Sequence, residues 1–250
     1  MIFSFFKKNK LQKDSSISIE MPVADMHSHL LPSIDDGAKD LEHSLSLIKE
    51  LIDLGYKKLI TTPHIMQDFY KNTPEIILEK LQIVREALLK EKISIEIDAA
   101  AEYYLDEYLM EKLRKQEKLL TFGKNYLLFE TSFMNASSYL NEAIFLMQSS
   151  GYRPIFAHPE RYVYLFDKYK DLMNIRDKGV YLQINLNSLS GYYSKESKKV
   201  AEKLIEDKAV DFVGTDCHHE KHINSLHESR KSKYFEKLMS LPLLNSSLLK

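Results

Sequence analysis

Stretches with the hydrophobic pattern of a strand alternate along the chain with stretches that have the pattern of a helix. Short apolar stretches, typical of strands, occupy residues 23–29, 57–62, 93–101, 126–131, 154–157, 180–185 and 210–215. Between them apolar residues recur at helical spacing, which predicts helices at 41–54, 74–92, 105–116, 138–149, a stretch ending at 179, 195–207 and 233–241. Asp40 and Thr73 are the expected N-caps of the first two helices. Repeated strand-then-helix units imply parallel strands, so the pattern predicts a barrel or a doubly wound sheet of about seven strands.

The length and the glycine content favour the barrel. An α/β barrel typically has about 250 residues, and the chain has 250. With only 7 Gly, the sequence contains no Gly-x-Gly-x-x-Gly or P-loop pattern of a nucleotide-binding sheet. We therefore expect an N-terminal arm at 1–22 and a single domain at 23–250.

The composition excludes several classes of protein. Hydrophobic residues make up 44% and charged residues 28% of the chain, as in soluble globular proteins. The net charge of −1 gives no basic field for nucleic acid, and the apolar runs are far shorter than a membrane span. A single cysteine, Cys217, favours a reducing compartment, so we expect a cytoplasmic protein. The Phe- and Lys-containing residues 1–10 are expected to fray, with contact to the inner face of a membrane as the alternative.

The stretch from Asp25 to His29 holds the first candidate metal ligands. Side chains alternate faces along a strand, so Asp25, His27 and His29 are expected on one face. Imidazole and carboxylate groups are the usual ligands of divalent metals at hydrolytic sites. For one isolated pair of histidines, hydrogen bonding within the fold is as good an explanation as metal binding. The residues at the ends of the other strands decide between these two explanations.

Side chains of the same chemistry lie at or just beyond the ends of six of the seven predicted strands. They are His27, His29, His64, Glu102, Glu130, His158, Asp216 and His218. The remaining strand ends in Asn185 and is followed by Asn187. In α/β barrels the C-terminal rim carries the site, whereas branched apolar residues fill the strand interiors. Packing of an apolar core does not explain metal-binding residue types at six strand ends, whereas a metal centre does.

This set holds more ligands than one ion needs. A mononuclear zinc site uses about three protein ligands plus water, whereas at least four His and three carboxylates point to two or three ions here. Glu102 or Glu130 can bridge neighbouring ions. Three divalent ions against four carboxylates, one of them Asp36, leave a charge of roughly +2, which suits a phosphate dianion.

Six motifs, in this order, carry a family resemblance. They are Asp25-x-His27-x-His29, Thr61-Thr62-Pro63-His64, Ala101-Glu102-Tyr103, Phe129-Glu130, His158-Pro159-Glu160-Arg161 and Thr215-Asp216-Cys217-His218. Together they resemble the PHP (polymerase and histidinol phosphatase) superfamily, in particular the bacterial manganese-dependent protein tyrosine phosphatases encoded with capsule and exopolysaccharide genes. The resemblance implies a distorted (β/α)7 barrel of the TIM type with a trinuclear site at the C-terminal rim. Manganese is the implied metal, with iron, zinc, cobalt or magnesium as alternatives.

The resemblance also implies a role for each site residue. One ion would be held by His27, His29, Asp216 and Glu102, a second by Glu102, Glu130 and His158, and a third by Asp36, His64 and His218. Arg161 would bind the phosphate, for which a planar bidentate donor is suited. Asp25 is expected to orient a histidine rather than to bind an ion. By its own sequence, Asp35-Asp36-Gly37 predicts only a turn.

The chain departs from the family pattern at two places. Many relatives carry a second His after Thr-Pro-His, and this chain has Ile65. Relatives often supply an Arg shortly after the last Asp-x-His motif, and here no Arg occurs before Arg230. Lys221, His219 or His222 could contact the phosphate instead, and a solvated polar loop is the alternative for these three.

These residues lead to one functional hypothesis. A metal-bridged hydroxide attacks phosphorus, and a tyrosine phenolate, whose pKa is about 10, leaves readily. By resemblance, the substrate would be the tail of a membrane-bound tyrosine autokinase that acts as a polysaccharide co-polymerase. A small-molecule phosphatase acting on histidinol phosphate and a non-catalytic metal-bound docking module remain alternatives. A cysteine nucleophile is excluded because Ile223, not Arg, lies six residues after Cys217.

Tyrosines near the predicted rim are candidate contacts for an extended peptide substrate. They lie at positions 103, 104, 162, 164, 192 and 193. Aromatic side chains at a rim can hold a peptide, although half-exposed tyrosines are ordinary on barrel loops.

Overall fold

Parallel strands and helices alternate through residues 20–249, which are the residues that the computed structural model describes. These residues form nine strands: β1 (Ala24–Asp25), β2 (Lys58–Thr61), β3 (His64–Ile65), β4 (Glu96–Ala99), β5 (Glu102–Tyr104), β6 (Tyr126–Glu130), β7 (Arg153–Ala157), β8 (Tyr181–Asn185) and β9 (Phe212–Gly214). Most of the predicted arm at 1–22 lies outside the described residues. The single domain at 23–250 stays a prediction.

The same residues form eight α-helices. They are α1 (Leu41–Asp53), α2 (Pro74–Lys90), α3 (Glu107–Arg114), α4 (Leu140–Ser149), α5 (Tyr169–Asp177), α6 (Lys195–Glu206), α7 (Glu220–Ser229) and α8 (Lys233–Met239). The predicted caps are confirmed: the Asp40 carboxylate accepts a hydrogen bond from the His43 N–H, and the Thr73 hydroxyl accepts one from the Ile76 N–H. Among these helices, none has both the length and the apolar character needed to cross a bilayer.

The strands follow the order of an α/β barrel. One sheet has the order β1-β2-β4 and the other has the order β3-β5-β6-β7-β8-β9, and every pair of neighbouring strands is parallel. Two strand paths continue past their predicted ends at 62 and 101 after a break. The first break, between β2 and β3, lies at Pro63, which has no N–H to donate to a neighbour, and the second separates β4 from β5. Backbone hydrogen bonds continue across both breaks, from the Ala100 N–H to Thr61 O and from the Glu102 N–H to Pro63 O.

The first and last strands meet just beyond their C-terminal ends. Ser28 and Cys217 form an isolated parallel bridge, and the Asp216 N–H donates to His27 O at 2.8 Å. The seven strand paths therefore form a ring that no continuous ladder closes. This arrangement confirms the predicted distorted (β/α)7 barrel.

The strands bury side chains on both faces. Residues such as Met26, Ile60 and Phe212 belong to one buried cluster, whereas their strand neighbours Leu59 and Val213 pack with the helices in another. This alternation follows from the two-residue period of a strand and places an apolar core inside the ring. The polar site lies at the strand ends, above that core.

Helix α7 was not expected from the sequence, which predicts a polar segment between Asp216 and the last helix. Its buried face carries His222, Ser225 and Ser229 beside Ile223 and Leu226. Ser225 bonds Ser190 across the interface at 2.8 Å. Only two of these buried side chains are large and apolar, and the polar composition of the segment led to the prediction of a polar stretch.

Candidate metal centre

The structure brings the predicted metal-binding side chains together at the C-terminal ends of the strands. Among the described residues, four groups have candidate ligand atoms within 4.8 Å of one another: His29, Asp36, His64 and His218; His27, His29 and Asp216; His27, Glu102 and His158; His64, Glu102 and Glu130. All nine predicted ligands are in these groups. Because His27, His29, His64 and Glu102 each belong to two groups, the groups adjoin and share ligands.

The chemistry of this donor set fits divalent metal ions. Glu102 Oε2 is buried without a hydrogen-bond partner, and it lies 3.2 Å from His27 Nε2, 3.4 Å from His29 Nε2 and 3.2 Å from His64 Nδ1. Within residues 20–249, His64 Nδ1 also has no hydrogen-bond partner. Leaving such buried polar atoms unpaired is costly. Imidazole nitrogens and carboxylate oxygens aimed at common points are what a divalent cation requires.

The charges of the site depend strongly on one another. Burial would raise the pKa of Glu102, but the charges of His27 and His64 hold it well below its usual range. Burial would likewise lower the pKa of His64, but Glu102 and Glu130 outweigh this effect and raise it to about 9. Protons on the imidazoles thus balance the carboxylates. Divalent ions would take over that balance and displace the protons.

Hydrogen bonds to the far nitrogens fix the orientation of three histidines. His29 Nδ1 lies 2.7 Å from Asp35 Oδ2, His27 Nδ1 lies 2.8 Å from Gln183 Oε1, and His218 Nδ1 lies 2.9 Å from the Asp216 carbonyl. An acceptor on one ring nitrogen leaves the other nitrogen free to bind a metal. The Nε2 atoms of His27 and His29 lie 3.3 Å apart at the centre of the cluster.

Sequence reasoning did not assign Asp35 and Gln183 to the site. The predicted turn does form, because Asp35 Oδ1 accepts a hydrogen bond from the Gly37 N–H, but the other oxygen of the same carboxylate binds His29. The sequence contained a signal for Gln183, because this amide lies in the apolar strand predicted at 180–185 with Asn185 two residues later on the same face. In the structure Gln183 is fully buried in β8.

The expectation that Asp25 orients a histidine ring is corrected. Among the described residues, the Asp25 carboxylate accepts hydrogen bonds from the Thr215 N–H and hydroxyl at 2.9 and 2.7 Å, and a longer one from the His27 backbone N–H. Burial raises the pKa of Asp25 to about 6, although the Thr215 bonds oppose this shift. Asp25 therefore ties β1 to the end of β9 rather than holding an imidazole.

Backbone geometry brings the ligands close to one another. His158 and Asp216 have φ values of 33° and 49°, in the left-handed region that residues other than glycine seldom adopt. Gly37 permits a close chain approach, because an added Cβ there would lie 2.1 Å from His29 O. Gly214 does the same beside His27, where a Cβ would lie 2.6 Å from the His27 Cβ.

Arg161 lies beside the cluster in a cavity of about 530 Å³. Its Nη1 donates to Asp216 Oδ2 at 2.8 Å, and its Cζ lies 4.6 and 4.1 Å from the ring centroids of Phe133 and Tyr193. Asn185 also donates to Asp216 Oδ2, at 2.7 Å. The guanidinium is thus in contact with two aromatic rings and hydrogen-bonded at one edge, and Arg161 still lines the cavity.

The three residues expected as alternative phosphate contacts have different positions relative to the cavity. His219 and His222 line the cavity, whereas Lys221 is exposed and is not among its lining residues. His222 Nδ1 accepts a hydrogen bond from the His218 N–H at 3.1 Å, and burial lowers the pKa of His222 to about 3. His222 is therefore a neutral side chain that supports His218.

The tyrosines expected at the rim have different environments. Tyr103 and Tyr162 are buried, and the Tyr162 hydroxyl accepts a hydrogen bond from the Thr131 N–H. Tyr104 and Tyr193 line the cavity. Tyr192, which is 40% exposed, lies next to His222 outside that lining.

Comparison with known proteins identifies the family. A protein-family model described as "Capsular polysaccharide synthesis, CpsB/CapC" matches residues 23–239. The chain belongs to the CpsB/CapC family. This match confirms the family resemblance that the sequence motifs predicted.

Named members of the CpsB/CapC family are similar over most of the chain. Tyrosine-protein phosphatase YwqE of Bacillus subtilis (strain 168) is 30% identical over 197 residues, 79% of this chain and 78% of that protein. Tyrosine-protein phosphatase CpsB of Streptococcus agalactiae is 30% identical over 199 residues, 78% of this chain and 82% of that protein. A crystal structure from work on YwqE of B. subtilis and CpsB of Streptococcus pneumoniae, described as unique metal-dependent tyrosine phosphatases, matches with a TM-score of 0.79. It is 28% identical and covers 90% of this chain and 94% of that one.

Proposed function

We propose that this protein is a metal-dependent protein tyrosine phosphatase. One observation carries the proposal: nine candidate ligands and the guanidinium of Arg161 meet at one cavity, in a chain of the CpsB/CapC family. The similar proteins YwqE and CpsB are named tyrosine-protein phosphatases. A phosphate dianion suits a site that combines several divalent cations with an arginine.

The chain's own residues would divide the work. The four groups of His and carboxylate ligands would hold the ions, and Asp35 and Gln183 would keep two of the imidazoles in place. Divalent ions in such a centre supply Lewis acidity, which makes water nucleophilic at neutral pH and offsets phosphate charge. Arg161 would donate to the phosphoryl oxygens, with Asp216 fixing its edge. A phenolate leaving group needs little help from a general acid, because the pKa of tyrosine is about 10.

Manganese is the metal we propose, on the basis of the family resemblance. The mixed nitrogen and oxygen donors of the site suit manganese as well as iron, zinc and cobalt, so the choice of manganese rests on the resemblance. We further propose that the substrate is a phosphotyrosine segment of a membrane-bound autokinase of polysaccharide export, so that the protein works at the inner face of the membrane. The capsule-synthesis family supports this partner.

Hydrolysis of a phosphotyrosine peptide tests the function. Activity should disappear after chelation and return with Mn²⁺, and both Glu130→Ala and His64→Ala should abolish it. Glu111→Ala and His227→Ala, which change exposed residues of the same types, are the matched controls and should remain active. Full activity of the two site variants would contradict the proposal. Faster turnover of histidinol phosphate than of the peptide would replace it with a small-molecule phosphatase.

A further inference from the structure

Two chemically different kinds of residue line the cavity beside the metal centre. Imidazole and carboxylate groups such as those of Asp36, His218 and His219 form one set. The other set is apolar or aromatic: Met66, Tyr104, Phe133 and Met134, which come from three separate segments, and Tyr193, whose ring lies against Arg161. The cluster of charged ligands does not need this apolar lining. It therefore calls for a function of its own.

Phe133 belongs to the apolar lining and also contacts Arg161, the proposed phosphate-binding residue. Its ring centroid lies 4.6 Å from Arg161 Cζ, 5.7 Å from the ring of His158 and 5.6 Å from that of Tyr162. The ring is nevertheless 36% exposed and lines the cavity. One part of the ring is thus packed against the site, and another part is available to a ligand whose phosphate is bound by Arg161.

The loop that follows β6 holds Phe133 and Met134 in place. The Ser132 hydroxyl accepts hydrogen bonds from the N–H groups of Met134 and Asn135, at 3.2 and 3.4 Å. The Phe133 carbonyl accepts one from the Val163 N–H at 2.8 Å. Met134 is 63% exposed although it lines the cavity. A fixed loop that presents an exposed thioether at a cavity mouth is suited to contact a ligand.

We propose that Phe133 and Met134, together with Met66 and Tyr104, bind the phenyl ring of the substrate and so select aryl phosphates over alkyl phosphates. The inference rests on the proposed phosphatase function and adds the residues that recognise the leaving group. An aromatic ring gains from contact with another aromatic edge or face and with methionine sulfur. The imidazole and carboxylate groups of the lining offer no comparable apolar contact.

Two ligands that differ only by the ring test this inference. Inorganic phosphate needs the charged part of the site alone, whereas phenylphosphonate adds a phenyl group that is not released. Their binding to the manganese-loaded protein is measured by calorimetry for the unchanged chain and for Met134→Ala and Phe133→Leu. Phe145→Ala, which truncates a 68% exposed phenylalanine on α4, is the matched control.

Met134→Ala should weaken phenylphosphonate about three- to tenfold, as expected for the lost apolar contact, and leave phosphate within about twofold. Phe133→Leu should lower the preference for phenylphosphonate over phosphate, and Phe145→Ala should change neither affinity. Equal losses for both ligands, or no loss in Met134→Ala, would overturn the inference while the phosphatase proposal stands. Absence of phosphate binding by the unchanged chain, with no peptide hydrolysis, would overturn both.

Discussion

Replacing Asp35 with asparagine tests whether the hydrogen bond to His29 supports the metal centre. Asp35 has a fully buried side chain, and its two oxygens receive three donors. Oδ2 lies 2.7 Å from His29 Nδ1 and 3.2 Å from the His64 backbone N, and Oδ1 lies 3.0 Å from the Gly37 N. Burial would raise the pKa of Asp35, but the charge of His29 lowers it, so the carboxylate is ionised where it accepts these bonds.

An amide cannot satisfy the same three donors. If its oxygen faces His29 and His64, its NH2 group meets the Gly37 N–H, and if it is turned around, the NH2 group meets both of the other donors. The first arrangement loses the hydrogen bond from the Gly37 N–H and the negative charge of Asp35 beside His29. A buried donor left without a partner costs about 1–3 kcal/mol, and loss of such a supporting group typically weakens metal binding about 10- to 100-fold.

Competition with a chromogenic chelator measures the manganese affinity of the Asp35→Asn variant directly. Asp98→Asn is the matched control, because Asp98 is exposed and pairs with Lys58 and Arg85, away from the metal centre. We expect about 10- to 100-fold weaker binding for Asp35→Asn and wild-type affinity for Asp98→Asn. Wild-type affinity of the Asp35 variant, or equal losses in both variants, would refute the proposed support of His29.

Three further predictions concern other parts of the site. Tyr193→Leu removes the ring beside Arg161, so KM for an aryl phosphate should rise about three- to tenfold, whereas Tyr193→Phe should have a smaller effect in the same steady-state assay. Two carboxylates outweigh burial and raise the pKa of His64 to about 9, so its proton is still bound at pH 7. Manganese affinity should therefore increase as the pH rises from 6.5 towards 9, with proton release in calorimetry, and a pH-independent affinity would contradict this. Gly37→Ala places a Cβ 2.1 Å from His29 O, so differential scanning calorimetry should show a lower Tm together with lost metal binding.

The convergence of the metal-binding side chains was predictable because parallel strands end at one rim. His27, His64, Glu102 and His158 lie far apart in the sequence, yet strand register places them within reach of one another. The breaks at Pro63 and Ala100 leave the register of these two strand paths unchanged, since Thr61 pairs with Ala99 and His64 with Glu102, and the strand ends stay at the rim. The position of each strand end was therefore enough to predict the cluster.

The groups that orient the histidines were not predictable in the same way. Asp35 lies in an irregular turn, where no periodicity gives the direction of a side chain, and either oxygen could have faced solvent. Gln183 binds His27 from β8, which β9 separates from β1 in the ring, and the two residues are 156 positions apart in the sequence. Asp25 shares the face of His27 by strand periodicity, but its carboxylate accepts hydrogen bonds from the N–H and hydroxyl of Thr215 rather than from an imidazole.

Anomalous diffraction from crystals grown with manganese and inorganic phosphate is the most direct test of the proposed centre. We predict two or three anomalous peaks among the side chains at the strand ends, with ligands drawn from His27, Glu102, Glu130 and their neighbours, and a phosphate in contact with Arg161. Absence of peaks at this rim, or a phosphate bound away from Arg161, would contradict the account.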